Sequence, residues 1–208
     1  MSSITNFIGK IKGGMALSTQ YSVSFEFADD TLSNRLKAAV ADTTEGVFSP
    51  DGIVSLLCTE AQLPSVSSLT GQTNGLYLGE GQVNYSYGKL FTDVSLGWIC
   101  DRDMTPMKFL QEWHDSQFTF EAVRKSESSL TKDTRAITNR VNFPSNYQAV
   151  IKIEKNDLGP EGRERSMTYT LLNAFPYSID ATPVSYGTSQ VLNVSASFYY
   201  SKFFIDHI

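Results

Sequence analysis

Between Phe91 and Phe118 the chain reads FTDVSLGWICDRDMTPMKFLQEWHDSQF, and within this stretch the apolar period changes from that of a strand to that of a helix. Thr92, Val94, Leu96 and Trp98 alternate with Asp93, Ser95 and Gly97, as in a strand with one buried face. The run from Cys100 to Asp103 breaks that alternation. Thr105 is then placed to cap a helix whose first position is Pro106, where a missing N–H costs nothing. Met104 and Phe109 have the spacing of a hydrophobic staple. Phe109, Leu110 and Trp113 share one apolar face, which predicts a helix packed on one side of a sheet. Any fold for this chain has to accommodate that strand–helix unit.

The flanking sequence supplies the sheet. Ile4, Phe7, Ile8 and Ile11 fall on one face of a short N-terminal helix within an arm spanning residues 1–19, and a helix so short needs a surface to bury against. Tyr21, Val23, Phe25 and Phe27 alternate with Ser22, Ser24 and Glu26, predicting a strand. A helix follows, capped between Asp29 and Thr31 and carrying Leu32, Leu36 and Val40. Ile53–Ala61 is nearly continuous apolar sequence and reads as a strand buried on both faces, closed by Leu63-Pro64. Gln62–Gly81 reads as a long loop whose apolar content is Leu76, Tyr77 and Leu78, and loops of that length are usually functional. Val83, Tyr85 and Tyr87 restore alternation before Phe91.

Glu121–Asn146 reads as a solvated polar loop. A hairpin follows, with Tyr147–Glu154 and Ser166–Leu172 paired around NDLGPEGRER. Pro176 is expected to stop the second of these strands. Val191–Phe204 is read as one long closing strand with Leu192, Val194, Ala196, Phe198 and Tyr200 on one side. The expected architecture is mainly β: about seven strands in an antiparallel sandwich or barrel, one flanking helix and two shorter ones, in a single domain over residues 1–208.

The chemistry-bearing residues are sparse. The formal net charge of -5 argues against generic phosphate binding. Cys58 and Cys100 lie in apolar runs and read as reduced core thiols of a protein folded in the cytoplasm. With His114 and His207 they have no zinc-site spacing, so no metal or cofactor is expected. Asp101 and Asp103 lack the pattern of a calcium loop and read as turn formers beside a helix N-terminus. His114 and Asp115 point about 100° apart on a helix and make no dyad. No apolar run is long enough for a membrane helix, and the first residues lack the apolar core of a signal peptide. The reading is therefore of a non-enzyme whose apolar arm, long loop and polar strand faces serve association.

The order of these segments resembles the tail tube proteins of contractile-tailed, myovirus-type bacteriophages. YSVSFEF, LLCTEAQLP, TDVSLGWIC with its helix, YTLLNAFPYSI and VLNVSASFYYSKFF carry the resemblance across most of the chain. Ala28–Gly52 is longer than compact members need, which suggests an insertion with a decorating or sheath-facing role. The resemblance implies hexameric rings closed by an inner β-barrel and stacked into a tube inside a contractile sheath. Its partners would be further copies of itself, the sheath protein, a baseplate or tube initiator and a tape-measure protein, with no membrane involved. Genomic DNA would cross the lumen without specific binding. Six copies at -5 each would carry -30 formal charges per ring, suited to a wall that repels phosphate. Glu26, Glu60, Asp93 and Glu154 are candidates for the lumen. By the same resemblance Ile4–Ile11 docks on a neighbour and residues 62–81 reach the adjacent ring or protomer. The alternatives are a tube initiator or baseplate hub tube protein, the tube of a related contractile injection system and, from a different class, a ligand-binding β-barrel or enzyme.

Overall fold

A computed structural model describes residue 4 and residues 16–40, 46–75, 81–119, 140–158, 164–180, 182–184, 186–187 and 191–207. Its elements are β1 (Tyr21–Phe27), α1 (Asp30–Val40), α2 (Ile53–Leu56), β2 (Cys58–Ala61), β3 (Val66–Asn74), β4 (Gln82–Phe91), β5 (Val94–Ile99), α3 (Thr105–Asp115), β6 (Phe118–Thr119), β7 (Arg140–Val141), β8 (Ala149–Leu158), β9 (Glu164–Ile179), β10 (Asn193–Tyr199) and β11 (Lys202–His207). The fold is mainly β and antiparallel, as the alternating segments predict.

Seven strands form one bent sheet in the order β1-β8-β9-β10-β5-β2, with β11 also paired to β9. The bend is built into β9. Met167–Leu172 pair with β11, whereas Phe175–Ile179 pair with β10, and Asn173 between them takes a left-handed φ of 55°. Asparagine tolerates that region better than most residues. β9 thus belongs to two half-sheets, one of β1, β8, β9 and β11 and one of β9, β10, β5 and β2. Pro176 does not stop the strand as expected: it lies opposite Phe198, beside a register shift, where the ladder is already irregular. The single closing strand expected over Val191–Phe204 is instead β10 and β11. From Phe198 onward they share one register along β9, and they are interrupted at Tyr200 and Ser201, opposite the β9 bend.

The core fills the space between the half-sheets. Phe25 of β1 and Trp98 of β5 approach across it with ring centroids 6.4 Å apart. Val94, Leu96 and Trp98 are buried as the alternation predicts. Phe109, Leu110 and Trp113 of α3 are also buried, and the Trp113 ring packs on Phe25, Phe27, Phe109 and Phe198. The sole polar atom of each tryptophan ring is satisfied: Trp98 Nε1–H donates to Val54 O at 3.0 Å and Trp113 Nε1–H to Tyr147 O at 2.8 Å.

The cap of α3 differs from expectation. Thr105 is inside the helix and Met104 holds a left-handed φ of 56°. Asp101 supplies the cap from one turn upstream: its carboxylate accepts from Thr105 N at 2.7 Å and from Thr105 Oγ1 at 2.6 Å. These hydrogen bonds hold the Asp101 carboxyl below its usual range against the opposing effect of burial. Asp101→Ala is expected to cost about 1 kcal/mol, as for other lost N-terminal caps, measured by chemical denaturation. An unchanged midpoint would assign the cap elsewhere.

Two further segments depart from the sequence reading. Ile53–Ala61 is not a doubly buried strand but one helical turn followed by a short edge strand; Leu56 is 70% exposed while Val54 is fully buried. Ala28–Gly52 is more than a decoration, because Leu32, Leu36, Val40, Val47 and Phe48 enter the core. Its helix α1 is capped by Asp29, whose Oδ1 accepts from Thr31 N at 2.9 Å, and Arg35 of α1 reaches Glu112 of α3 at 2.5 Å.

Candidate assembly interface

The part of Gln62–Gly81 read as an irregular loop is largely a strand. β3 pairs with β4 along its whole length, and Leu76, Tyr77 and Leu78 lie outside the described residues. At the usual rise per residue the two strands make a ribbon about 30 Å long. Its root is fastened to the domain. Thr92 N donates to Ser65 O at 3.3 Å, the Ser65 and Thr92 hydroxyls meet at 2.6 Å, and the Phe91 ring packs on Tyr200 and Phe203.

Ribbon sidedness is set by one extra residue. Ser67, Leu69, Gly71 and Thr73 face Leu90, Gly88, Tyr85 and Val83 respectively, and the register shift after Leu69 leaves Tyr87 as the added residue. Without that bulge, Val83 and Tyr85 would fall on the face opposite Leu90. With it, Leu69, Val83, Tyr85 and Leu90 form one apolar face, and each is between 38% and 54% exposed. The Tyr85 ring lies over Gly71, where an added Cβ would meet it at 2.7 Å. The other face carries Ser68, Lys89, Thr70, Ser86, Gln72, Asn84 and Gln82, with Gln82 Nε2 donating to Gln72 Oε1 at 2.8 Å. An isolated two-stranded ribbon is marginal in water, and an uncovered apolar face marks an interaction surface.

The sheet edges differ in their availability. At the outer edge of β1, Phe25 N donates to Phe48 O at 2.9 Å and Val23 N to Ser55 Oγ at 3.4 Å. Tyr21 Oη donates to Cys58 O at 3.1 Å, so residues 46–58 seal the seam between β1 and β2. Burial pushes both the Cys58 thiol and the Tyr21 phenol up to about 12; the neighbouring Cys58 and the Glu60 charge add to the Tyr21 shift, whereas at Cys58 a hydrogen bond to the Glu60 backbone opposes it. Both groups hold their protons more tightly folded than unfolded. Their contribution is therefore complete below the ordinary values of 9.0 and 10.0 and is lost as pH rises towards 12. Melting temperature is expected to fall across that window, and Cys58→Ala with Tyr21→Phe is expected to flatten the fall. An equally steep fall in the double variant would place the alkaline sensitivity elsewhere.

The four acidic candidates divide between the half-sheets. Glu26 is exposed on β1 and ion-paired with Lys152, and half-buried Glu154 on β8 accepts from Ser22 Oγ at 3.4 Å. Glu60 is exposed on the edge strand β2, and Asp93 accepts from Tyr177 Oη at 2.6 Å. No one half-sheet gathers all four. Ile4 is exposed, whereas Phe7, Ile8 and Ile11 lie outside the described residues, as do residues 121–139 of the polar loop.

An open groove of about 480 Å³ at the ends of β1 and β8 is lined by Glu26, Phe27, Ala28, Ser145, Gln148, Ala149, Val150 and Asn173. Its one ionisable group is the paired Glu26, so no polar set converges on a ligand. Among the described residues no three His, Cys, Asp or Glu side chains cluster as metal ligands, and no helix is long and apolar enough to cross a membrane.

The fold recurs in solved contractile assemblies. A chain of the anti-feeding prophage (AFP) baseplate superposes with a TM-score of 0.55 at 14% identity, covering 92% of this chain and 95% of that one. A chain of an extracellular contractile injection system, the PVC sheath–tube complex in its extended state, gives 0.54 at 10% identity with full coverage of both. A chain of the AFP tube-terminating cap gives 0.54 at 12% identity, covering 94% and 93%. No curated protein sequence matches. The model of the phage tail tube protein family matches residues 16–206, and the chain belongs to that family of structural, non-enzymatic proteins.

Proposed function

We propose that this protein forms hexameric rings that stack into the inner tube of a contractile tail, through which DNA leaves the particle. The observation that carries this reading is the ribbon: a two-stranded β3–β4 ladder with an uncovered apolar face, fastened to the domain at its root. A second copy in the adjacent ring covers Leu69, Val83, Tyr85 and Leu90, and the sequence expectation for Leu76, Tyr77 and Leu78 is that they add to the same contact. The arm bearing Ile4, Phe7, Ile8 and Ile11 docks on a neighbouring subunit. The sheath protein surrounds the tube, a baseplate initiator and a tape-measure protein meet it, and the subunits assemble in the host cytoplasm. The acidic chain favours transit of DNA over adhesion, with Glu26, Glu60, Asp93 and Glu154 as candidates for the wall.

A second reading, a tube initiator or baseplate hub protein, draws support from the comparable fold match to a baseplate chain. Copy number separates the two. Quantitative mass spectrometry of purified particles is expected to give many rings' worth of this chain relative to single-ring baseplate components. A count equivalent to one ring would assign it to the initiator instead.

A further inference from the structure

We infer that Asn74 and Gly75, at the far end of the ribbon, form a self-modifying pair: the Asn74 amide converts to aspartate and isoaspartate with water as the only co-reactant, and the conversion weakens ring stacking. The effect on stacking rests on the ring reading above; the chemistry does not. The Gly75 backbone nitrogen attacks Asn74 Cγ, the new C–N bond closes a cyclic imide, and Nδ2 leaves as ammonia with the Gly75 amide proton. Water then opens the imide at either carbonyl, giving aspartate from one and isoaspartate from the other.

Asn74 is the only asparagine in the chain followed by glycine, and a glycine nitrogen has no neighbouring Cβ to obstruct the approach. Asn74 is exposed and is the last residue of β3, opposite Gln82. A mid-strand residue is held extended by hydrogen bonds on both sides, but among the described residues the ladder ends at Asn74 and does not restrain the Gly75 peptide. The Asp51–Gly52 pair is the opposite case. Gly52 N donates to Ser49 O at 2.9 Å, and an added Cβ there would meet Val47 O at 2.0 Å, so that peptide is pinned. The position of Asn74 gives its conversion a consequence. β3 and β4 carry Lys89 as their only charge, near the root, and Glu80 is the only acid in the sequence between Val66 and Phe91. A carboxylate at residue 74 adds a second acid to this stretch, and isoaspartate also lengthens the main chain there. In a ring both changes repeat in every copy facing the adjacent ring.

Timed incubation of the full-length protein, followed by peptide mass mapping and isoaspartate-specific methylation, tests the chemistry. Asn74 is expected to convert at least about tenfold faster than any other asparagine. Gly75→Val should slow it, because the branched side chain crowds the nitrogen; Gly75 does not hold a left-handed φ, so valine fits the backbone. An Asn74 that keeps its amide while other asparagines convert, or that converts equally fast in Gly75→Val, would overturn the site. For assembly, Asn74→Asp is expected to lower the stacked fraction in negative-stain images by at least about tenfold, with ring yield and melting temperature at wild-type values. Asn74→Gln should stack normally. In an aged wild-type sample, unconverted Asn74 should be enriched in pelleted tubes over free rings, a readout that needs no substitution. Wild-type stacking by Asn74→Asp, or equal conversion in tubes and free rings, would overturn the effect on assembly while leaving the ring reading intact. Absence of tubes from the wild-type protein under all conditions would overturn the stacking reading together with that effect, and the peptide map would still decide the chemistry.

Discussion

Replacing Trp113 with alanine is expected to destabilise the protomer by about 3–5 kcal/mol, the range for removing a large buried aromatic. The ring is fully buried and touches Phe25, Phe27, Phe109 and Phe198, so it joins α3 to β1 and β10 at once. The substitution also leaves Tyr147 O without its donor. Against a typical net stability of about 5–15 kcal/mol, that loss can unfold a large fraction of the chain. Assembly would fail as a consequence of unfolding. Chemical denaturation is the measurement, and a midpoint close to that of the wild type would show that the core does not depend on α3.

The opposite pattern is expected at the ribbon. Leu69→Ser, Val83→Ser and Tyr85→Ser together should leave the melting temperature nearly unchanged, because exposed substitutions typically stay within about 0.5 kcal/mol each. Ring stacking should be lost. Each side chain is already about half covered within the protomer, so covering the rest is worth about 0.7–1.5 kcal/mol, and three together shift an association equilibrium by about two to three orders of magnitude. Deleting Ser68–Gly79 should act in the same direction and more severely. Normal tube formation by the triple variant would show that the apolar face has another use.

The contrast between these two sites explains what the sequence could and could not reveal. Trp98 and Trp113 sit in segments whose period matches their burial inside one protomer, so alternation and helical spacing located the core correctly. β3 escaped because neither of its faces is buried in the protomer; TGQTN has no apolar period to detect. The bulge at Tyr87 further splits the apolar residues of β4 between two parities, so their common face emerges only from the pairing. A short apolar run such as Ile53–Ala61 does not distinguish a strand from a buried helical turn. Here Val54 and Ser55 point inward while Leu56 does not. The helix N-terminal duty of Asp101 is legible in the sequence, but its reach over Met104 depends on a left-handed residue that composition gives no reason to expect.

The residues proposed as interface are the hardest to read because nothing within the protomer buries them. Leu69, Val83 and Leu90 look like ordinary apolar positions in sequence and become informative only once the fold leaves them uncovered. The lumen candidates show the same limit. Glu26 and Glu154 share one half-sheet, Glu60 lies on the other and Asp93 in the connection between β4 and β5, and strand periodicity alone cannot relate positions on different elements.

Electron microscopy of the purified full-length protein tests self-assembly most directly. The account predicts six-fold rings with a central opening and, at higher concentration, stacked hollow tubes. A chain that remains monomeric at every concentration tried, with its ribbon folded and its core intact, would contradict it.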